Sequence, residues 1–248
     1  MPIIMYKCDL NRPAVIIPLL NEARAFPLVF EKLPSNWKGQ VIAVDNGSSD
    51  GTWEWLKDNC INVIREHRKG YGAACFTGVE TAKMLGFKAI IFMDGDGSDS
   101  GDSLDFIENQ LINNPNHFIL TKRNPHSGPW HAIFGTQLLL ITVWILWKTR
   151  FHDMGPMRGM SIQLFDQIGM TDKAYGWTLE MQIRVLQSKL PFLEIAVKSF
   201  PRVAGKSKIS GTFWGSLQAT KCLIAFIIEL KAKDILNWKY KKSIQDIN

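Results

Sequence analysis

The sequence predicts an α/β domain with a mostly parallel central sheet flanked by helices. Residues 41–44 and 89–93 form two runs that are too apolar for surface strands and short enough for buried parallel ones. An acidic turn follows each run, at residues 45–52 and 94–96. Since α/β enzymes keep their chemistry at the carboxyl ends of the strands, we expect these turns to present their carboxylates.

The first 120 residues alternate strand and helix patterns, which is the rhythm of consecutive βαβ units. Strands are predicted at 14–19, 41–44, 62–64, 89–93 and 118–121, and helices at 22–33, 52–59, 72–85 and 103–113. Four or five parallel strands are therefore expected.

After residue 124 the rhythm changes. A Pro/Gly/His turn region comes first, then an apolar stretch, a Gly- and Pro-rich segment at 153–159, and a helix near 178–189. Neither an internal repeat nor a clear linker marks a boundary. We therefore expect one domain over 1–248, with a first half of about 12–124, a second half of about 125–212 and a basic helical tail of about 213–248.

Two apolar segments, 130–147 and 213–230, are each followed by cationic side chains. The uninterrupted part of the first is too short to span a bilayer, which takes about 20 apolar residues. An interfacial helix with tryptophans at headgroup depth fits this pattern, and so does a buried or dimer-forming helix. Both interpretations stay open for both segments.

Composition narrows the class of protein. The four cysteines form no Cys-x-x-Cys pair, and they indicate neither a disulfide framework nor a zinc site. The N-terminus has no secretory pattern, so a cytoplasmic location is expected.

From residue 198 onward there are ten Lys and Arg against three Asp and Glu, which accounts for the net charge of +6. This basic tail is suited to bind phosphates on a membrane, a substrate or a nucleic acid. An ordinary solvated helix is the alternative interpretation.

The Asp94-Gly95-Asp96 turn has the chemistry of a divalent-cation site. Carboxylate oxygens on either side of a glycine suit Mg²⁺ or Mn²⁺, completed by oxygens of a diphosphate. Acidic residues next to glycine also form ordinary turns and caps, so the spacing alone does not decide.

Two further turns should line the same sheet edge, at residues 18–22 and 45–48. Residues 69–72, Lys-Gly-Tyr-Gly, add a cation and a glycine-rich helix entry that can approach a phosphate or a nucleobase closely. Neither a Gly-x-Gly-x-x-Gly nor a Gly-x-x-x-x-Gly-Lys phosphate loop occurs. This argues against a dehydrogenase or a P-loop enzyme.

Together these segments resemble the family 2 glycosyltransferases of the GT-A fold, a single Rossmann-like domain, over roughly residues 14–212. The similarity is greatest to the dolichol-phosphate mannosyltransferase and polyprenyl-phosphate glycosyltransferase branch. It implies a nucleotide-sugar donor, held by the first half of the chain, and inversion at the anomeric carbon. The implied donor-binding residues are Pro18, Leu20, Asn21, Glu22, Asp45, Asn46, Gly47, Ser48, Lys69, Gly70, Asp94 and Gly95. The implied metal ligands are Asp94 and Asp96, with Mg²⁺ or Mn²⁺ as cofactor.

The second half, which should bind the acceptor, resembles the same branch at 152–158, 175–182 and 202–212. The last segment is similar to the Arg-x-x-Gly-x-Ser-Lys segment that lipid-phosphate glycosyltransferases place over the donor diphosphate and the acceptor phosphate. It makes Arg202 and Lys208 the best candidate phosphate ligands. Three positions depart from better-known members: Asn46 stands in place of an aspartate, Ser98 in place of a glutamine, and 153–158 in place of Asp-Pro-x-Ser-Gly-Phe.

The acceptor decides which residues catalyse the reaction. A lipid phosphate is already an anion, so it requires no general base, and Arg123, Arg158 or Arg202 would guide it to the sugar. A hydroxyl acceptor would need a carboxylate to take its proton, and Asp153 and Glu180 are the candidates. Helix N-terminal stabilisation is the alternative role for Glu180. Asp96, Asp153 and Glu180 are thus the candidate catalytic residues.

The sequence therefore predicts a metal-dependent hexosyltransferase that is peripheral on the cytoplasmic membrane face and uses a polyprenyl phosphate. A glycosyltransferase with a soluble hydroxyl acceptor is the first alternative, and a non-catalytic GT-A subunit that binds a partner is the second. A nucleic-acid-binding module would leave the acidic turns unexplained, so no nucleic acid partner is expected. Homo-oligomerisation stays open.

Overall fold

The structure is a computed structural model that describes residues 7–60, 62–123, 130–174, 176–204 and 213–245. Contacts divide this part of the chain into two compact units. The first comprises the described parts of Met1–Gly128 and Gly155–Lys206, and the second comprises those of Pro129–Met154 and Ser207–Asn248. The acidic turns belong to the first unit.

A mixed sheet forms the centre of the first unit and has seven strands among the described residues. The strands are β1 (Ala14–Leu19), β2 (Val41–Asp45), β3 (Asn62–Arg65), β4 (Ala89–Phe92), β5 (Phe118–Arg123), β6 (Arg158–Ser161) and β7 (Phe192–Val197). They lie in the order β3-β2-β1-β4-β6-β5-β7, and β6 runs antiparallel to its neighbours β4 and β5. The predicted α/β class with a mostly parallel sheet is confirmed.

Helices connect and cover these strands. They are α1 (Phe26–Lys32), α2 (Ser35–Lys38), α3 (Thr52–Asn59), α4 (Tyr71–Leu85), α5 (Ser103–Asn113), α6 (Trp130–Trp147), α7 (Ile162–Ile168), α8 (Trp177–Gln187) and α9 (Phe213–Gln245). Helices α6 and α9 belong to the second unit, and the others belong to the first.

The five strands predicted from the first 120 residues all begin at the expected residue and end within two residues of the expected end. The helix expected from residue 22 begins later, at Phe26. Residues Glu22 and Ala23 give their amide N–H groups to the side chains of Thr52 and Asp50, which holds them in a turn. The sequence analysis did not predict β6 and β7.

The core occupies both faces of the sheet. On one face Val15, Ile17 and Leu19 of β1 pack in a buried cluster with apolar side chains of α1 and α5. On the other face the ring of Trp177 lies 5.8 Å from that of Phe92 and is buried. Trp177 therefore packs against the sheet.

The second unit contains α6 and α9, which pack against each other. A Cβ atom on Gly135 of α6 would lie only 2.8 Å from the hydroxyl of Thr220 on α9, so the glycine permits the close approach. Lys231 places its Nζ 4.8 Å from the centre of the Trp147 ring. Among the residues that the structure describes, no helix combines the length and the apolar character needed to cross a membrane.

Candidate active site

Turns that follow the adjacent strands β2, β1 and β4 meet at one edge of the sheet. Leu19 at the end of β1 is in register with Asp45 at the end of β2, so the turns after them lie side by side. Because β6 is antiparallel, its first residue, Arg158, pairs with Phe92 at the end of β4 and lies at the same edge. At this edge the structure places Pro18, Leu20, Asn21, Glu22, Asp45, Asn46, Gly47, Ser48, Asp94, Gly95 and Asp96.

Hydrogen bonds join the turn after β1 to the turn after β2. The amide of Asn21 donates to the hydroxyl of Ser48 at 2.9 Å, and the amide of Ser49 donates to Oδ1 of Asn21 at 2.9 Å. Asn21 has a positive φ of 52°, a conformation that asparagine tolerates better than most residues. The two turns thus form one rigid platform. A cleft of about 220 Å³ lies against it, and it is lined by Asn21, Glu22, Ala23, Arg24, Ala25, Asp50 and Ala204.

The side chain of Asp45 stabilises the turn after β2. Its carboxylate is fully buried and accepts hydrogen bonds from the amides of Gly47 at 3.3 Å and Ser48 at 3.2 Å. Arg65 at the end of β3 places its Nε 3.2 Å from the same carboxylate. These partners satisfy the buried carboxylate, which holds the turn in a fixed shape.

Asn46 connects this turn to the segment that enters α4. Its Nδ2 donates to the carbonyl oxygens of Glu66 at 3.3 Å and Arg68 at 2.7 Å, and its Oδ1 accepts from the amide of Gly70 at 2.9 Å. An aspartate could make only the last of these bonds, since an ionised carboxylate has no donor. The position therefore uses an amide for a structural reason. The side chain of Lys69 in the same segment is exposed.

Gly95, between the two aspartates, lies in close contact with β1. A Cβ atom there would be 2.2 Å from Cδ2 of Leu19, so the acidic turn packs directly on β1. The reason for glycine is thus this close approach, because the positive φ of the turn (83°) belongs to Gly97 instead.

Asp94 and Asp96 have different partners. Tyr71, at the start of α4, donates its hydroxyl to Oδ1 of Asp94 at 3.1 Å. Arg202 places Nη1 2.6 Å from Oδ2 of Asp96, which is 4% exposed. Burial raises the pKa of Asp94, and so does the charge of Asp96, while Tyr71 and the arginines Arg158 and Arg202 oppose the rise.

Asp99 is a third carboxylate at this turn, and the sequence analysis did not single it out. Its Oδ2 accepts from the amide of Asp94 at 2.9 Å, and its Oδ1 is buried and has no hydrogen-bond partner among the residues that the structure describes. Burial raises the pKa of Asp99 well above its ordinary value, and so do the charges of Asp94 and Asp96, while Arg123 opposes the rise. The Asp94-Gly-Asp-Gly-Ser-Asp99 pattern was the only sequence signal for this residue.

The segment with Arg202 is attached to the acidic turn by its backbone. The amide of Phe200 donates to the carbonyl of Ser98, and the amide of Val203 donates to the carbonyl of Asp96, both at 3.0 Å. An isolated bridge between Asp99 and Ser199 continues this pairing. These contacts fix Arg202 beside Asp96.

Three of the four predicted phosphate ligands lie near the acidic turn. Arg202 contacts Asp96, Arg158 is buried and its charge acts on Asp94, and the charge of Arg123, the last residue of β5, acts on Asp99. Lys208 lies outside the described residues.

Glu180 lies in the first turn of α8, and its buried carboxylate is surrounded by donors. It accepts from the amide of Asp172 at 2.7 Å, from the hydroxyl of Thr171 at 2.6 Å and from Nη2 of Arg184 at 3.0 Å. These contacts favour a role in holding the 171–174 loop over the role of a general base. That loop in turn accepts hydrogen bonds from the amides of Gly72 and Ala73 at the start of α4.

Gly70 also lies against the 171–174 loop. A Cβ atom on it would be 2.2 Å from the carbonyl oxygen of Lys173, and its φ of 139° is open to glycine alone. Asp153, the other candidate base, is buried in the second unit, where its Oδ1 accepts from the amide of Met154 at 2.7 Å.

Asp94 and Asp96 are the residues that could hold a cation. Their carboxylate oxygens are hard ligands of the type that Mg²⁺ and Mn²⁺ prefer. Within the described part of the chain, no group of three or more His, Cys, Asp or Glu side chains is arranged to hold a metal ion. A cation at this turn would therefore take its remaining ligands from elsewhere, and the oxygens of a bound diphosphate suit that role.

Comparison with known proteins identifies the family of this chain. Residues 14–171 match the family described as Glycosyl transferase family 2. An uncharacterised glycosyltransferase of Mycobacterium tuberculosis (strain H37Rv) is 31% identical over 209 residues, which are 83% of this chain and 93% of that protein. The undecaprenyl-phosphate mannosyltransferase of Micrococcus luteus is 25% identical over 222 residues, 82% of this chain and 90% of that protein.

A solved structure of glucosyl-3-phosphoglycerate synthase from M. tuberculosis, in complex with Mn²⁺, UDP and phosphoglyceric acid, has a similar fold. Its TM-score is 0.71 at 14% identity, and the match covers 91% of this chain and 83% of that one. The family match and the similar fold identify a glycosyltransferase of the GT-A fold. This chain belongs to glycosyltransferase family 2.

Proposed function

We propose that this protein transfers a hexosyl group from a nucleoside diphosphate sugar to a polyprenyl phosphate at the cytoplasmic face of a membrane. The observation that carries the proposal is the set of arginines at the acidic turn, where Arg202 contacts Asp96 and Arg158 and Arg123 act on its neighbours. A reaction between a diphosphate donor and a phosphate acceptor brings several negative charges together. Arginines suit this task because the guanidinium group binds phosphate oxygens in pairs.

The donor is proposed to bind at the platform formed by the turns after β1 and β2. Asn21, Glu22, Asp45 and Ser48 would hold the nucleoside, and Lys69 and Gly70 would lie along its phosphates. Asp94 and Asp96 would hold Mg²⁺ or Mn²⁺, which neutralises the departing diphosphate when bound. The Mn²⁺ and UDP in the related synthase structure support this assignment by analogy.

The chemical step follows from the acceptor. An oxygen of the acceptor phosphate forms a bond to the anomeric carbon as the bond from that carbon to the donor diphosphate breaks, and the nucleoside diphosphate leaves. Because the acceptor is already an anion, no residue has to remove a proton. The engaged carboxylate of Glu180 is consistent with this route. The guanidinium groups of Arg123, Arg158 and Arg202, with Lys208, are proposed to orient the phosphate and offset its charge.

A second candidate function is transfer to a soluble acceptor. It is favoured by the similar fold of glucosyl-3-phosphoglycerate synthase, whose structure contains phosphoglyceric acid. A hydroxyl acceptor would require a base, and Asp153 is the remaining candidate.

A radiolabelled transfer assay tests the proposal. Purified protein is incubated with Mn²⁺ or Mg²⁺, a panel of UDP- and GDP-sugars, and either undecaprenyl phosphate or phosphoglyceric acid. We expect metal-dependent label in the lipid, lost in Asp96→Asn and kept in Asp102→Asn, an exposed carboxylate in the same region. Label in phosphoglyceric acid alone would establish the second function, and absence of both donor binding and turnover would indicate a non-catalytic subunit.

A further inference from the structure

One side of α6 carries large apolar side chains that are exposed in the described structure. Six of them are exposed by 38–69%: Trp130, Phe134, Leu138, Ile141, Trp144 and Ile145. At 100° per residue they fall within an arc of about 120°, and they extend along the helix for about 22 Å. We call this surface the apolar face of α6. The opposite side of the helix, with Leu139 and Val143, is buried.

This arrangement is the reverse of an ordinary surface helix, which places polar residues toward water. Helix α6 contains no Asp, Glu, Lys or Arg. Within the arc of its apolar face, Gln137 is the one polar residue of the helix. An exposed apolar area of this kind marks an interaction site rather than a free surface.

Charge indicates the partner. Residues 130–154 and 213–245, the described residues of the second unit, contain eight Lys and Arg against three Asp and Glu. Lys148 and Arg150, which directly follow α6, are exposed, and so are Lys221 and Lys233 of α9. A second copy of this chain would bring the same positive charge to the contact, whereas an anionic bilayer offers the opposite charge.

The two tryptophans support the same partner. Trp130 and Trp144 are 69% and 50% exposed and lie near opposite ends of the apolar face. Tryptophan is enriched at membrane interfaces, where its ring lies at the level of the headgroups. A helix with tryptophans at both ends of an apolar face is suited to lie in the plane of the interface.

We infer that the apolar face of α6 binds an anionic lipid bilayer, with the helix parallel to the membrane and the nearby lysines and arginine on the lipid headgroups. This inference rests on the proposed function in one respect, because it explains how the enzyme would reach an acceptor that lies in a membrane. The binding itself requires neither donor nor acceptor.

Vesicle sedimentation tests the inference. Vesicles of phosphatidylglycerol and phosphatidylcholine, without polyprenyl phosphate, are mixed with the full-length protein and with the triple variant Phe134→Gln/Ile141→Gln/Trp144→Gln. A matched control, Met84→Gln/Phe106→Gln/Ile112→Gln, removes apolar side chains of comparable exposure from the first unit. The altered side chains of both variants are exposed, so both should keep the wild-type circular dichroism spectrum and melting temperature.

We expect the triple variant on α6 to lose vesicle affinity by about tenfold or more, and the control to stay within about twofold of the wild type. Wild-type binding should weaken in pure phosphatidylcholine and at high salt. Equal binding by the wild type and the α6 variant would overturn the inference. The inference would also be overturned if the wild type does not bind vesicles and elutes as a dimer while the α6 variant elutes as a monomer. That result would identify a second copy of the chain as the partner.

Transfer activity separates this inference from the proposed function. The α6 variant should keep the wild-type rate with a short, water-soluble polyprenyl phosphate and lose it with undecaprenyl phosphate in vesicles. Vesicle binding without any lipid labelling would contradict the proposed function alone. If the α6 variant labels undecaprenyl phosphate in vesicles at the wild-type rate, that result would contradict the inference alone.

Discussion

The side chain of Asn46 makes contacts that an aspartate could not make. Its amide group donates to two carbonyl oxygens and accepts from Gly70, and it joins the turn after β2 to the entry of α4. Better-known members of the family resembled by the sequence commonly carry an aspartate there, whereas this chain has a neutral amide that donates. The exchange links two parts of the proposed donor site.

We predict that Asn46→Asp lowers the free energy of unfolding by about 1–3 kcal/mol, because a carboxylate would face the carbonyls of Glu66 and Arg68 without a donor. Urea unfolding at pH 7 measures the change. The exposed Asn109→Asp on α5 is the control and should stay within about 0.5 kcal/mol of the wild type. Equal stability of Asn46→Asp and the wild type would contradict the role given to this amide.

Glu66, the residue after β3, provides a prediction about pH. Its pKa is lowered to about 2, mainly by the hydrogen bonds from Arg68, with a further one from Thr77, against the opposing effect of burial. A carboxyl whose folded pKa is depressed stabilises the fold above its unfolded pKa, and this contribution is lost as the pH falls toward the folded value.

Accordingly, Glu66→Gln should cost about 2 kcal/mol at pH 7, a figure reduced for the exposure of Arg68. The difference from the wild type should be constant above about pH 5 and should shrink between pH 4.5 and 2. Unfolding curves at several pH values measure it, and Glu54→Gln, on the exposed side of α3, should show no such trend. A difference that does not depend on pH would rule out the charge as its source.

Asp99 supports Asp94 through the backbone amide of that residue. Asp99→Asn keeps an acceptor for that amide but places an NH₂ group at the buried position of Oδ1, so we expect it to lose less stability than Asp99→Ala. Asp99→Ala leaves the amide of Asp94 without its partner and should cost about 1–3 kcal/mol. Thermal and urea unfolding of the two variants measure the contrast, and the reverse order of stability would refute the account.

At the scale of elements, α8 and α4 are connected through the 171–174 loop. Glu180 of α8 holds the loop, and the loop accepts the amides of Gly72 and Ala73. The N-terminus of α4 carries Tyr71, which contacts Asp94. A carboxylate remote from the acidic turn thus takes part in positioning it.

We predict that Glu180→Gln speeds hydrogen exchange at the amides of Gly72 and Ala73 and lowers stability by about 3 kcal/mol, since Arg184 would lose its buried partner. Hydrogen-exchange mass spectrometry measures the first effect. Glu31→Gln, an exposed position on α1, should leave exchange at these amides unchanged. If the amides of Gly72 and Ala73 exchange at the wild-type rate in Glu180→Gln, Glu180 does not hold the start of α4 through the loop.

The elements differ in how far the sequence predicted them. Strands β1 to β5 follow from apolar runs that a parallel sheet requires, and their starts were predicted to the residue. Strand β6 contains Arg158 and Gly159 and has no apolar run, because its place between β4 and β5 depends on tertiary pairing rather than on its own pattern. The first turn of α1 was displaced by side chains of Asp50 and Thr52, which are distant in sequence.

The same limit applies to the candidate site. The acidic turns were predicted because they directly follow predicted strands. The ion pair of Arg202 with Asp96 joins residues more than 100 positions apart, and the sequence analysis reached Arg202 only through the resemblance to a family. Asp99 was missed because its function depends on burial and on the amide of Asp94, which composition and spacing do not reveal.

At the scale of the whole molecule, the two units differ in surface chemistry. The first carries the acidic turns and arginines of the proposed transfer site, and the second carries the apolar face of α6 and most of the net positive charge. A membrane enzyme that takes a soluble donor and a lipid acceptor needs both kinds of surface. Central to the proposed function is that the acceptor's own phosphate acts as the nucleophile.

A competition assay tests that claim most directly. Wild-type protein receives the labelled donor, Mn²⁺ and equal amounts of a polyprenyl phosphate and the matching polyprenol, which differs only by the phosphate group. We expect label in the polyprenyl phosphate and none in the alcohol, because the proposed site offers arginines for a phosphate and the carboxylate of Glu180 is already engaged by hydrogen-bond donors. Label in the polyprenol at a comparable rate would contradict it.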